Sequence, residues 1–326
     1  MPLFASHLVV TTLAALLVLP ALSGAGATTG AADLVLRDDF EAGRFSREGG
    51  LYYKDNAEQR AGRVAFEKRG AHSGEGVLTL TLRPLCKQGQ SGCSERAEVW
   101  ESPQVLAPYD RTVWYGFAMR LDAPVPQDDK RYVMAQWKRE IIPGAEGDYS
   151  PFLALRLFRG KLGVTVETDR VESYRIGGKE RPQGCLPGEA RVLDRPKARQ
   201  TRALVAVEAG SRAEDYPDYF NACAPAIRVV RHGDLPKAGD GWIDLVFRSS
   251  PGPQGGGQIE VMAAGIHVAT VTGKIGHQGP GLDQNQYFKF GPYRAPAPGQ
   301  WSVSFDDFRR GPSCADVIRL GRCPQE

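Results

Sequence analysis

Gln136 and Lys138 stand two residues apart in "RYVMAQWKRE", an amide and an ammonium inside an otherwise apolar run. Side chains along a β-strand alternate between faces, so these two share one face while Val133, Ala135 and Trp137 take the other. The same sorting applies to three more runs. In "SERAEVWE", Ala97 and Val99 form the apolar face and leave Arg96, Glu98 and Trp100 together. In "FLALRLF", Leu153, Leu155 and Leu157 go inward and leave Arg156. In "QYFKFGPYR", Phe288 and Phe290 go inward and leave Tyr287 and Lys289. Tyr293 keeps that parity if the strand runs on through Pro292, and Arg294 closes the run. An ordinary solvated strand face tends toward Thr, Ser, Lys and Glu. Here Trp, Tyr and Gln accompany arginine on several strands. Aromatic rings stack on sugars and cations pair with carboxylates, so the set suits an acidic polysaccharide.

The elements that must position these residues are strands. Period-2 alternation recurs at 77–83, 95–100, 114–121, 132–138, 152–158, 161–167, 242–248, 258–263, 267–272, 286–291 and 301–308, between Gly-, Pro- and Asp-rich turns. Helical periodicity is scarce, and the layout predicts an all-β sandwich. "RDDF" near the start and "FDDF" near the end predict neighbouring terminal strands that close one domain over 28–326. The stretch 168–240 is rich in Arg, Gly, Pro and Asp, with one plausible strand at 203–209. It reads as an irregular but ordered insertion that rims the site, with Cys185 and Cys223 as a staple.

Residues 1–27 contain the apolar run "HLVVTTLAALLVLPAL" and the small residues Ala25–Ala27, a signal-peptide pattern that lacks a basic flank. No later run is apolar for long enough to span a bilayer. The expectation is a secreted or periplasmic monomer with no membrane partner once the leader is cleaved. Six cysteines suit an oxidising compartment. They permit many pairings, of which the sequence-local set Cys86–Cys93, Cys185–Cys223 and Cys314–Cys323 is the most economical. A formal net charge of +3 over 326 residues argues against a nucleic-acid partner.

Taken together, "SERAEVWE", "AQWK" and "YFKFGPYR" resemble the Arg-x-Glu, Gln-x-His and Tyr-Phe-Lys-x-Gly-x-Tyr strands of the jelly-roll polysaccharide lyases. The heparin lyase I-like group is the nearest likeness, with glucuronan lyases and jelly-roll alginate lyases beside it. "DDFE", "GWIDLVFRSS", "QIEVMAAGIHVATVTG" and "FDDFRRG" frame these motifs in the same order. The resemblance implies a concanavalin-like β-jelly-roll of two antiparallel sheets with a polar concave groove. It implies β-elimination at a uronic acid, in which the C5 proton is removed and the C4–O bond breaks. Charge developing on the carboxylate must then be stabilised, and the resemblance casts Arg96 and Gln136 in that role. Tyr293 becomes the proton-transfer residue, with Lys289 nearby. The face sorting adds Glu98, Trp100, Arg156 and Tyr287, and with them Lys289 and Arg294, as candidate substrate-binding residues. A tyrosine base must be lowered from about 10, which neighbouring cations favour.

One position departs from the pattern. Lys138 stands where the family often has a histidine. His72, His232, His267 and His277 match no catalytic motif, although a loop histidine such as His277 could reach the groove. In glucuronate and mannuronate the C5 proton and C4 oxygen lie on one side of the ring, so one tyrosine can serve as base and then acid. Iduronate and guluronate need a second group on the other face. The missing histidine therefore favours syn elimination through Tyr293, with Lys138 as the rival base. The elimination requires no cofactor. Asp38, Asp39, Glu41, Asp306 and Asp307 could gather where the terminal strands meet, and Asp39 and Asp307 are candidate ligands for a structural calcium. Two other classes compete: a non-catalytic binding module on the same fold, and a glycoside hydrolase, for which no E-x-D-x-E-like strand exists.

Overall fold

The computed structural model describes residues 30–325 apart from 88, 89, 91 and 148. The signal-peptide reading of 1–27 lies outside the described residues. The alternating runs form antiparallel strands linked edge to edge in one continuous pairing order. The pairing passes through Gly62–Glu67, Val77–Leu82, Trp301–Gly311, Val113–Leu121, Ile243–Ser250, Gly252–Ala263 and Ile266–Ile275, which make one layer. Ala222–Arg231 carries it around the edge. Glu189–Arg195, Gln200–Val207, Lys161–Asp169, Leu153–Phe158, Tyr132–Ile141 and Leu282–Arg294 then build the second layer. The fold is the expected all-β jelly roll, but its two layers are continuous through one edge instead of being separate sheets.

Inward-facing aromatics hold the layers together. Trp137 meets Phe247 at 4.7 Å, Phe117 meets Phe288 at 5.6 Å, and Phe290 meets Phe305 at 4.7 Å between ring centroids. Each such buried side chain is worth about 1.5–3 kcal/mol of transfer free energy. The terminal strands pair as expected, with Asp38 opposite Phe308. The three disulfides are Cys86–Cys93, Cys185–Cys223 and Cys314–Cys323. Among the described residues no helix is long and apolar enough to cross a membrane.

Two of the bulges in the second layer lie beside the candidate site. Tyr132, Met134, Ala135 and Trp137 all belong to the core, so two consecutive core residues interrupt the alternation. The pairing shifts beside them, between Leu155 and Arg156. A bulge inserts one residue and flips the face of what precedes it. Val133, expected inside, thus pairs with Tyr293 and Arg156 on the outer face. The second shift falls between Phe290 and Tyr293. There Gly291 has φ +122°, and a Cβ on it would lie 2.1 Å from the Ala97 carbonyl oxygen. Glycine is the residue that allows this approach.

The reading of 168–240 as irregular needs correction. It holds the strands Tyr174–Arg175, Glu189–Arg195, Gln200–Val207 and Ala222–Arg231. These widen the second layer and link it to the first. Arginines and charged pairs on the outer face masked their alternation.

Candidate active site

Four strands, Leu282–Arg294, Tyr132–Ile141, Glu95–Arg96 and Val99–Glu101, supply the floor. Leu282–Arg294 pairs Lys289 with Gln136 on one side and with Trp100 on the other. Tyr293 lies opposite Arg96, and Tyr287 opposite Lys138. The side chains sorted to the polar faces therefore meet in two dimensions.

Glu98 is the hub. Its carboxylate, 1% exposed, accepts Lys289 Nζ at 3.0 Å and the Gln136 side-chain amide, and lies 3.7 Å from an Arg96 guanidinium nitrogen. The Glu98 backbone N–H donates to Gln59 Oε1 at 2.6 Å, which ties Glu98 to the turn Ala57–Gln59. Gln136 and Lys289 are themselves 3% and 2% exposed. Sequence reasoning placed Glu98 on the groove surface as a binding residue. The structure buries it as the carboxylate that aims three donors. A buried ion pair of this kind loses about 3–5 kcal/mol when one partner is removed.

Half-buried side chains cover the hub. The guanidinium carbons of Arg96 and Arg131 lie 4.2 and 4.5 Å from the Tyr293 ring centroid. Trp100 and Tyr287 stack at 5.4 Å with planes 10° apart. Lys289 and Lys54 ammonium groups lie 4.3 and 4.5 Å from the Trp100 ring. Tyr53, on the neighbouring strand, is pushed up to about 12 by burial and by the charges of Asp55 and Glu98, which holds its hydroxyl neutral. The result is one clamped phenol, one aromatic shelf and a cationic floor.

Arg156 occupies the same face two strands from Tyr293, in the row Tyr293, Val133, Arg156. Lys138 sits one pair beyond Gln136 on the side away from Tyr293. Arg294 does not reach the groove. It is 1% exposed, on the opposite side of its strand, and donates to Glu95 at 2.6 Å and to the Gly299 carbonyl at 2.8 Å. His277, the histidine singled out as able to reach the groove, is 1% exposed and pairs with Asp169 at 3.1 Å through Nδ1. His232 and His267 stack on each other at 4.1 Å, and His72 lies between Asp244 and Asp307. Lys54 and Arg131 escaped the sequence reading. Each sits just outside a strand, where alternation gives no face.

The two candidate calcium ligands, Asp39 and Asp307, already have partners. Asp307 is held by His72 Nδ1 at 3.0 Å, by the Ser73 hydroxyl at 2.9 Å and by the Arg319 guanidinium. Asp306 accepts the His72 and Ser73 backbone N–H groups, and Asp39 accepts that of Glu41 at 3.2 Å. Calcium takes six to eight oxygen ligands, whereas cationic groups surround Asp307. Among the described residues, the ligand-type side chains that converge are Cys185, Glu189 and Cys223, whose cysteines form a disulfide.

The fold is a jelly-roll sandwich with Arg96, Gln136, Lys289 and Tyr293 on one face of its second layer. The chain belongs to the polysaccharide lyase family, whose model matches residues 40–309. No curated protein matches its sequence. Among solved structures it is similar to the endo-β-1,4-glucuronan lyase of the fungus Trichoderma reesei, with 14% identity, a TM-score of 0.54, and 87% of this chain and 96% of that one covered. It is also similar to the cellulose-induced protein Cip1 (13% identity, TM-score 0.44, 88% and 100% covered). The alginate lyase AlgAT5, of polysaccharide lyase family 7, follows at 10% identity and TM-score 0.39, with 79% and 83% covered. The first of these supports the fold.

Proposed function

We propose that the protein is an exported lyase that cuts a uronic-acid polysaccharide by syn β-elimination at glucuronate or mannuronate. The observation that carries the reading is Tyr293 clamped by Arg96 and Arg131 beside the Glu98-centred group of Gln136 and Lys289. The motif likeness to heparin lyase I-like enzymes supports it, as does the shared fold of an enzyme named for glucuronan. Three disulfides fit export.

Arg96 and the second N–H of the Gln136 amide offer donors to the uronate carboxylate. Their charge and dipoles are fixed in advance by Glu98, the condition under which electrostatic stabilisation is strongest. The Tyr293 oxygen removes the C5 proton, and that electron pair forms the C4–C5 double bond. The C4–O bond breaks, and the departing oxygen takes its proton from Tyr293 on the same side. Proton and electron counts balance without another reactant.

The test is ultraviolet absorbance from the new conjugated double bond, with glucuronan, heparin-type, alginate and hyaluronan-type polymers as substrates. Rising absorbance on a glucuronate or mannuronate polymer is the expected result. New reducing ends without absorbance would mean hydrolysis, and binding without cleavage would mean a carbohydrate-binding module; either outcome overturns the elimination reading.

A further inference from the structure

Beyond Tyr293 the groove layer carries a second cationic centre that the elimination does not use. With strands about 4.8 Å apart, the row Tyr293, Val133, Arg156 puts Arg156 roughly 10 Å across the sheet from Tyr293. A cavity of about 220 Å³ opens there, walled by Arg131, Arg156, Arg195, Arg202 and Tyr219. Arg131 is shared with the Tyr293 clamp, so cavity and clamp have a common wall.

Charge is unbalanced in this wall. Glu167, fully buried, accepts from Arg156 at 3.3 Å, from Arg195 at 3.0 Å and from Arg202 Nε. One carboxylate therefore faces three guanidiniums, and Arg131 adds a fourth. Arg159, also in the wall, is matched by Asp129. Burial would raise the Glu167 carboxyl, but Arg202, Arg156 and Arg195 outweigh it and hold it below the ordinary range. Arg156 shows the converse. Burial first, and then the Arg202 charge, push it down to about 9. Burying like charges together is unfavourable unless an anion joins them.

A purely structural cluster would close over its cations as well as its carboxylate. This one closes over Glu167 and Arg156 but leaves Arg195 and Arg202 partly exposed along the cavity, where Tyr219 is 41% exposed. Planar guanidiniums offer paired N–H donors that match an oxyanion, and an exposed tyrosine offers a face for a sugar ring. We propose that the cavity binds a second anionic group of the same polysaccharide, a carboxylate or sulfate ester on a sugar near the one whose bond is cut. The proposal rests on the reading of the groove as a site for acidic polysaccharide. It makes the enzyme selective for polymers whose anions recur at short intervals along the chain.

Calorimetric titration tests this, with unsulfated oligoglucuronate, a sulfated heparin-derived oligosaccharide and a neutral cello-oligosaccharide as probes. The proteins are the wild type, Arg195→Gln and Tyr219→Ala. Loss of one charge-assisted contact predicts about tenfold weaker binding of the preferred acidic probe by Arg195→Gln. Tyr219→Ala, which lies outside the ion pairs, is expected to weaken binding about threefold; it carries the test if Arg195→Gln fails to fold. Preference for the unsulfated probe identifies a carboxylate, and preference for the sulfated probe a sulfate ester. Wild-type affinity in both variants would overturn the proposal, and so would failure of the wild type to bind either acidic probe. Absorbance is read separately. A protein that binds through Arg195 without forming a double bond sinks elimination and keeps the cavity. A protein that cleaves with a KM unmoved by both substitutions does the reverse.

Discussion

Two buried carboxylates sit on the same layer of this molecule, each ringed by cations, and their partners differ. Glu98 holds an amide, an ammonium and one guanidinium beside a phenol. Glu167 holds three guanidiniums. The first set mixes groups that can orient a carboxylate with one that can move a proton, as an elimination demands. The second offers fixed positive charge with no acid or base among the donors, which suits grip without chemistry. In the proposed reading the same device, a carboxylate that orients donors, serves chemistry at Glu98 and substrate binding at Glu167.

Substitutions should separate the two regions. The largest effect is expected at Tyr293→Phe, where loss of the proton-transfer group lowers kcat by about a thousandfold with little change in KM. Next comes Glu98→Ala, which removes the carboxylate from buried Lys289 and is expected to cost about 3–5 kcal/mol of stability. A thermal unfolding midpoint equal to that of the wild type would show that Glu98 is not the hub. The Glu167 region is expected to respond to pH. Its folded carboxyl is depressed, so its contribution is fully present above the ordinary 4.5 and is lost as pH falls through the folded value. Unfolding midpoints followed into acid should therefore drop less steeply in Glu167→Gln than in the wild type. Parallel curves would remove Glu167 from the account. The smallest effect concerns the Asp307 region, where chelation is expected to leave the midpoint unmoved, and a rise on adding calcium would contradict the cationic arrangement seen there.

Much of this was legible where strands alternate without interruption. Arg96, Glu98 and Trp100, and Tyr287 with Lys289, fell on the face that period-2 sorting assigned them. Tyr293 kept its parity through Pro292 because Gly291 absorbs the irregularity. Sorting failed at Val133, because a bulge cannot be seen in the alternation it breaks. Arg294, named as a groove cation against the parity of its strand, is a buried partner for Glu95. Burial depth was also hidden: a polar face says which way Glu98 points, not that Arg96 and Trp100 close over it. The cationic cavity was missed because Arg195, Arg202 and Tyr219 come from the arginine-rich 168–240 stretch, whose strands are masked by the charge that gives it a role.

In the proposed mechanism Tyr293, and not Lys138, moves the proton. Initial absorbance rates of Tyr293→Phe and Lys138→Ala, measured on one glucuronate polymer that the wild type cleaves, test it most directly. Tyr293→Phe is expected to fall by about a thousandfold while Lys138→Ala keeps most of its rate. An active Tyr293→Phe beside a dead Lys138→Ala would contradict it.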